Sequence, residues 1–139
     1  MKRDPRLHGL SSEHHHALVL ARALERRGPA TWTGRDAAEL GARFQEDLEP
    51  HFQVEETLLL PALRAAGQVD LTARVEEDHA RLRSAAAAAT AGDGAAAHLL
   101  GTMLTAHVRF EERDLFSACE ALLGDAVLDE VARRSAKGA

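Results

Sequence analysis

The chain has 139 residues, of which 45% are hydrophobic and 28% are charged, a composition typical of one soluble globular domain. A formal net charge of −5 and the lack of any basic run in the sequence argue against a nucleic-acid partner. No apolar run approaches the roughly 20 residues that cross a bilayer, so no membrane association is expected. The charged start is also not followed by the apolar stretch of a secretory signal.

The residue types favour helices and a reducing compartment. Only 4% of the residues are aromatic, Tyr is absent, and Ala, Leu, Glu and Arg dominate, which favours helices over strands. The single Cys119 cannot form an intramolecular disulfide, which is typical of a reducing compartment. We therefore expect one all-α, cytoplasmic domain over residues 1–139.

The first two predicted helices cover residues 12–27 and 34–66. Ser11 or Ser12 is predicted to cap the first helix, because a hydroxyl can accept from the free backbone N–H groups of a helix start. Pro50 lies inside the second helix and removes one backbone donor, so a kink is expected just before His51.

The third and fourth predicted helices cover residues 71–90 and 95–123, separated by the turn sequence AGDG. DAVLDEVARR predicts a short fifth helix, followed by a frayed tail, SAKGA. Short connections between long helices make neighbouring helices antiparallel. The expected fold is therefore an up-down-up-down four-helix bundle with its core at about residues 10–123, together with the short C-terminal helix.

Two similar phrases interrupt the inward apolar stripes of the second and fourth helices. HFQVEETLLLP contains His51 and Glu55, and HVRFEERDLF contains His107 and Glu111. Residues four apart lie on one face of a helix, with their Cβ atoms roughly 6 Å apart. In an up-down bundle the second and fourth helices run parallel. The repeat would then present the same two side-chain types from opposite sides of the core.

The first and third inward stripes are interrupted as well, by His14 and His79. The polar residues predicted to meet in one core layer are therefore His14, His51, Glu55, His79, His107 and Glu111. Burying such groups without partners costs kilocalories per group, and two carboxylates among neutral imidazoles need a cation. We therefore expect a metal site rather than a purely structural layer. His14 is the predicted ligand on the first helix because it continues the apolar stripe better than His15 does. His15 is the alternative ligand.

The ligand types indicate which metals suit this layer. Imidazole and carboxylate ligands without a thiolate suit iron, manganese or zinc. Six ligands exceed the needs of one tetrahedral ion but suit two octahedral ions that share bridging carboxylates. Glu55 and Glu111, on opposite helices, are the predicted bridges. The remaining coordination positions would be open to water or to a small ligand.

Other residues allow a different scheme or supporting roles. Glu13-x-x-His16 and Glu76-x-x-His79 have the ExxH spacing of ferritin-like bundles, but that scheme would leave the His of both repeated phrases unused.

Three acidic residues, Glu56, Asp78 and Glu112, are interpreted as surface charges, with orientation of ligand imidazoles as the alternative. Cys119 is expected to be a small core residue, with a redox role as the alternative.

Four segments resemble the helices of the hemerythrin-like (His-His-Glu cation-binding) family: LSSEHHHALVLA, HFQVEETLLLPAL, EEDHARLR and HVRFEERDLF. The resemblance extends from about Leu10 to Leu123. It implies a four-helix bundle with a non-haem di-iron centre, roles in oxygen binding or sensing and in iron or redox handling, and the six residues above as ligands. Oxygen-carrying members have two His one turn apart on the third helix, whereas this chain has Val75 and Arg83 at the positions flanking His79. This departure from the family pattern argues against reversible oxygen carriage and favours a more open or more labile site.

Three hypotheses about function follow. The first is a di-iron protein that binds or senses oxygen or a related small ligand such as peroxide or nitric oxide. The second is an iron-dependent enzyme that processes peroxide or nitric oxide at the same centre, or an iron-handling protein. The third is a structural or partner-binding bundle that takes up zinc adventitiously. Iron content and optical spectra distinguish them.

Overall fold

The computed structural model describes residues 2–135, and its regular structure over that range is entirely helical. This confirms the predicted all-α class. The first helix, α1, spans His8–Arg26 and therefore begins before the predicted start at residue 12. A 3₁₀ turn at Pro5–Leu7 leads directly into it, and the Asp4 side chain caps this turn by accepting from the backbone N–H of Arg6. The predicted serine caps are wrong because the chain is already helical there.

The second helical stretch is continuous but changes its hydrogen bonding twice. It consists of α2 (Gly34–Arg43), a π-helical segment (Phe44–Leu48), α3 (Glu49–Val54), a second π-helical segment (Glu55–Leu59) and α4 (Leu60–Ala65). Pro50 and Pro61 each stand two residues after the last residue of a π-helical segment. Because proline lacks a backbone N–H, the regular ladder is already broken at these points, and the wider turns accommodate the break. The distortion expected before His51 takes this form.

The remaining helices follow two short turns. They are α5 (Val69–Thr90), α6 (Gly94–Phe110), a π-helical segment (Glu111–Leu115), α7 (Phe116–Leu122) and α8 (Asp125–Arg134). Gly92 has a φ of 114° in the predicted AGDG turn, a conformation that L side chains rarely adopt. The predicted fifth, C-terminal helix is α8. Of the tail predicted to be frayed, Ser135 is buried and residues 136–139 lie outside the described residues.

Helix α6 packs along both α1 and α5, and α5 also packs along α2, which makes the molecule a helical bundle. Gly101 on α6 allows the close approach of α1, because a Cβ at this position would lie 2.7 Å from the carbonyl oxygen of Ala21. Among the described residues, no helix is long and apolar enough to cross a membrane.

Two apolar clusters make up the core, and every long helical stretch passes from one to the other. The first contains Ala17, Leu48, Leu82 and Leu104, among others. The second contains Leu10, Leu59, Val75 and Leu115, among others. Along each helical stretch, the polar residues predicted to meet in the core lie where the chain leaves one cluster and joins the other. The fold therefore places a polar layer between two apolar ones.

Candidate metal centre

The structure brings all six predicted polar residues into the core. Each of these side chains belongs to a residue that is at most 3% exposed: His14, His51, Glu55, His79, His107 and Glu111. Such burial of charged and polar side chains is rare unless they are paired or bind a metal.

The six residues form two groups that share both carboxylates. His14 and His51 meet Glu55 and Glu111 in one group, and His79 and His107 meet the same two glutamates in the other. Within each group, one potential ligand atom per residue lies within 4.8 Å of all the others. The arrangement therefore has two adjacent positions, each bordered by two imidazoles and two carboxylates.

Each glutamate presents a different oxygen to each group. Glu111 Oε1 lies 2.8 Å from His14 Nε2, whereas its Oε2 lies 3.0 Å from His107 Nε2. Glu55 Oε2 lies 2.9 Å from His51 Nε2, and its Oε1 lies 3.0 Å from His79 Nε2. A carboxylate placed in this way can bridge two cations. The six residues brought together here are the ones predicted from the sequence to meet in one core layer.

The opposite nitrogen of each imidazole is held by a further carboxylate. The pairs are His14 with Glu112, His51 with Glu13, His79 with Glu56 and His107 with Asp78, with Nδ1–oxygen distances of 2.7, 2.8, 2.6 and 3.1 Å. An ionised carboxylate only accepts, so Nδ1 carries the proton and Nε2 presents its lone pair to the interior when the ring is neutral. Carboxylate–histidine pairs of this kind orient metal ligands.

The inner atoms fit a cation because they lack other partners. Among the described residues, the buried polar atoms without a hydrogen-bond partner are His51 Nε2, His79 Nε2, His107 Nε2, Glu55 Oε1 and Oε2, Glu111 Oε2 and, away from this layer, Ser135 Oγ. An unsatisfied buried polar atom costs about 1–3 kcal/mol. Six such atoms around one interior region are satisfied together by positive charge, and nitrogen and oxygen donors of this type suit iron, manganese or zinc.

A family model described as the hemerythrin HHE cation binding domain matches residues 6–119. The chain belongs to the hemerythrin HHE cation-binding family. The resemblance inferred from the sequence is thereby confirmed, and metal binding is the property that the family and the two His/Glu groups share. No curated protein sequence and no solved structure gives a match.

The alternative ligands considered for this HHE domain are wrong. His15 and His16 are both exposed on α1. Glu76 has a side chain that is 53% exposed and pairs with Arg64 at the surface. The ExxH scheme therefore fails, because two of its members never enter the core.

Four acidic residues accept hydrogen bonds from the imidazoles of the HHE site, and the sequence indicated this role only as an alternative for three of them. Glu56, Asp78 and Glu112 hold imidazoles rather than serving as plain surface charges. Glu13 was missed as the partner of His51. It lies on α1, next to a predicted ligand, but its own partner lies on α3. Helical periodicity within one segment carries no signal for such a contact.

In the metal-free HHE domain, the carboxylates of the polar layer favour the protonated, positively charged forms of the buried histidines. Burial lowers the pKa of His79, but the carboxylates of Glu111 and Glu55, which face its Nε2, outweigh this effect and raise that pKa to about 10. Burial also opposes the charged form of His107, yet the nearby Glu111 and Asp78 raise its pKa to about 9. Burial acts against the charge of Glu111 too, and the imidazoles around it, led by His107, hold its pKa well below the usual range.

These shifts predict how the metal-free HHE domain responds to alkaline pH. Because the folded pKa values of about 10 for His79 and about 9 for His107 exceed the unfolded value of roughly 6.5, the imidazoles stabilise the fold fully below that value. This stabilisation is lost as the pH rises through 9 and 10. Burial also opposes the charged forms of His14 and His51, yet neighbouring glutamates raise both pKa values, so these two groups act in the same direction. Tyr is absent from the sequence, and its only lysines are Lys2 and Lys137.

We therefore expect the melting temperature of the metal-free protein to fall between pH 7 and pH 10, as measured by calorimetry. A His79→Gln variant should give a flatter profile than the native chain. His98→Gln is the matched control because His98 is exposed on α6, and its profile should equal the native one. A melting temperature that stays constant or rises over this interval would contradict the prediction.

Proposed function

We propose that this HHE domain binds two iron ions in its core. Two groups of four ligand residues that share both carboxylates carry this proposal, because one ion would leave half of the buried donor atoms unsatisfied. The proposed ligands are His14 and His51 for one ion, His79 and His107 for the other, and Glu55 and Glu111 for both. Zinc or manganese suits the same donors, so the metal itself has to be measured.

We further propose that the bound ions interact with oxygen or a related small ligand, such as peroxide or nitric oxide. When bound, iron would supply electrons and open coordination positions, since four protein ligands leave an octahedral ion two positions short. The chain contributes the surroundings. Apolar clusters on both sides of the polar layer exclude bulk water, and the four outer carboxylates keep each Nδ1 protonated and each Nε2 aimed at the centre.

The proposed arrangement of the supporting helices is an up-down-up-down four-helix bundle. The chain order of the core clusters supports it. Along α1 the chain runs from Leu10 in the second cluster to Ala17 in the first, and the next stretch runs in the opposite sense, from Leu48 to Leu59. The third and fourth stretches repeat this alternation. Antiparallel neighbours with short connections are the arrangement that this order predicts.

The metal content of protein produced in iron-replete cells tests the proposal. We expect about two iron atoms per chain, together with an optical spectrum that changes when reduced protein meets air. Less than one iron atom per chain would overturn the proposed di-iron centre and favour a structural bundle with adventitious zinc.

The same samples separate a binding protein from an enzyme. Addition of peroxide to the iron-loaded protein should change its spectrum without sustained consumption of peroxide. Steady turnover would overturn the binding assignment and support the peroxide- or nitric oxide-processing alternative instead.

A further inference from the structure

Arg83 lies one turn after His79 on α5, and its guanidinium group bonds to Glu49 and Glu56. Its Nη1 donates to Glu56 Oε2 at 2.8 Å, and its Nη2 donates to Glu56 Oε1 at 3.1 Å. It also bonds to both oxygens of Glu49, at 2.9 and 2.8 Å. The guanidinium group thus holds two carboxylates at once, in the paired geometry that arginine allows and lysine does not.

The carboxylate that Arg83 holds is the one that orients His79. Glu56 Oε2 accepts from Arg83 and also lies 2.6 Å from His79 Nδ1. The Phe52 ring stacks on the same imidazole, with centroids 4.1 Å apart and an interplanar angle of 20°. The Arg83 guanidinium carbon lies 5.3 Å from the Phe52 centroid. Arg83 therefore lies against two neighbours of the His79 ring, the carboxylate at its Nδ1 and the aromatic ring stacked on it.

The other three outer carboxylates lack such support within the described residues. Glu13 pairs with no Lys or Arg there, and Asp78 receives a single contact from Arg74 at 3.4 Å. The Glu112 carboxylate accepts from Ser11 Oγ at 2.9 Å and lies 3.7 Å from Arg3 Nε. Both oxygens of Glu56, in contrast, are bound by one guanidinium group. The two halves of the centre are therefore supported unequally.

We propose that Arg83 is a positioning residue for the metal centre: it holds Glu56, which in turn holds the His79 ring so that its Nε2 faces the shared carboxylates. This inference rests on the proposed two-metal function. The Glu56 side chain is 25% exposed, so without the guanidinium group water would compete for its carboxylate and the ring would lose its fixed partner. If Arg83 acted only through its charge, its removal would instead tighten the binding of a cation.

Titration of the metal-free protein with Co²⁺ tests this inference, with calorimetry and the cobalt absorption bands as readouts. The variants are Arg83→Met, which keeps an apolar stem beside Phe52, Glu56→Gln, and the two combined. Loss of an outer partner typically weakens metal binding by roughly 10- to 100-fold. We expect Arg83→Met to weaken one of two Co²⁺ affinities about tenfold and to leave the other unchanged.

The double variant distinguishes positioning from general stabilisation. If Arg83 acts through Glu56, the double variant should bind Co²⁺ no more weakly than Glu56→Gln alone. Arg83→Lys retains the charge and the stem but cannot bond both oxygens of Glu56, so it should recover only part of the affinity. It also serves as the test variant should Arg83→Met fail to fold.

The matched control is Arg81→Met on the same helix. The Arg81 side chain is 65% exposed and pairs with Glu77 in the preceding turn, so this change should leave both Co²⁺ affinities unaltered. Unchanged or tighter Co²⁺ binding by Arg83→Met, or effects of the two single changes that add in the double variant, would overturn the role of Arg83. Binding of fewer than two Co²⁺ ions by the native chain would overturn the proposed centre itself.

Discussion

Replacing Glu111 by Gln should reduce the bound metal from the proposed two ions to less than one per chain. The two Glu111 oxygens face all four imidazoles, at 2.8, 3.7, 3.7 and 3.0 Å from the Nε2 atoms of His14, His51, His79 and His107. A glutamine removes the negative charge and replaces one of these oxygens with an NH₂ group, which only donates. One metal position loses an oxygen ligand and both positions lose the negative charge, so the loss should exceed the roughly 10- to 100-fold cost of changing an outer partner.

Metal analysis of desalted protein measures this effect directly. Glu77→Gln on α5 is the matched control, because the side chain of Glu77 is 59% exposed and pairs with Arg81 at the surface. The control should retain the native metal content. Glu55→Gln should behave like Glu111→Gln, because Glu55 faces both groups in the same way. Retention of two ions by either core variant would contradict the bridging assignment.

Removal of the metal should lower the melting temperature by roughly 20 °C. A ligand that binds only the folded state at about 1,000 times its Kd stabilises that state by about 4.1 kcal/mol, so two ions contribute on the order of 8 kcal/mol. For a domain of this size each kcal/mol corresponds to roughly 2–4 °C. Without the ions, the buried Nε2 and carboxylate atoms must be satisfied by protons alone.

Calorimetry before and after treatment with a chelator checks this expectation. The Glu111→Gln variant is the internal control, because a protein that holds little metal should melt at nearly the same temperature with and without chelator. Native protein that melts at one temperature in both conditions would show that the cation does not contribute to the fold.

The helices and the polar layer could be predicted from the sequence because both signals are local. Apolar residues that recur with a helical period define one face of each helix, and His14 and His79 are recognisable because they occupy that face. The repeated HxxxE phrase adds Glu55 and Glu111 by the same reasoning, since a spacing of four keeps two side chains on one face. The structure buries all of these side chains together.

The supporting contacts could be decided only by the tertiary structure. Glu13 meets His51 across two helices, and Arg83 reaches Glu56 on a neighbouring helix; both contacts depend on how far each helix is rotated and shifted relative to the next. The π-helical segment that begins at Glu111 likewise has no proline after it to predict it. Residue spacing determines which face of a helix is apolar, but packing between helices determines which polar atoms on that face and at its margins come within bonding distance.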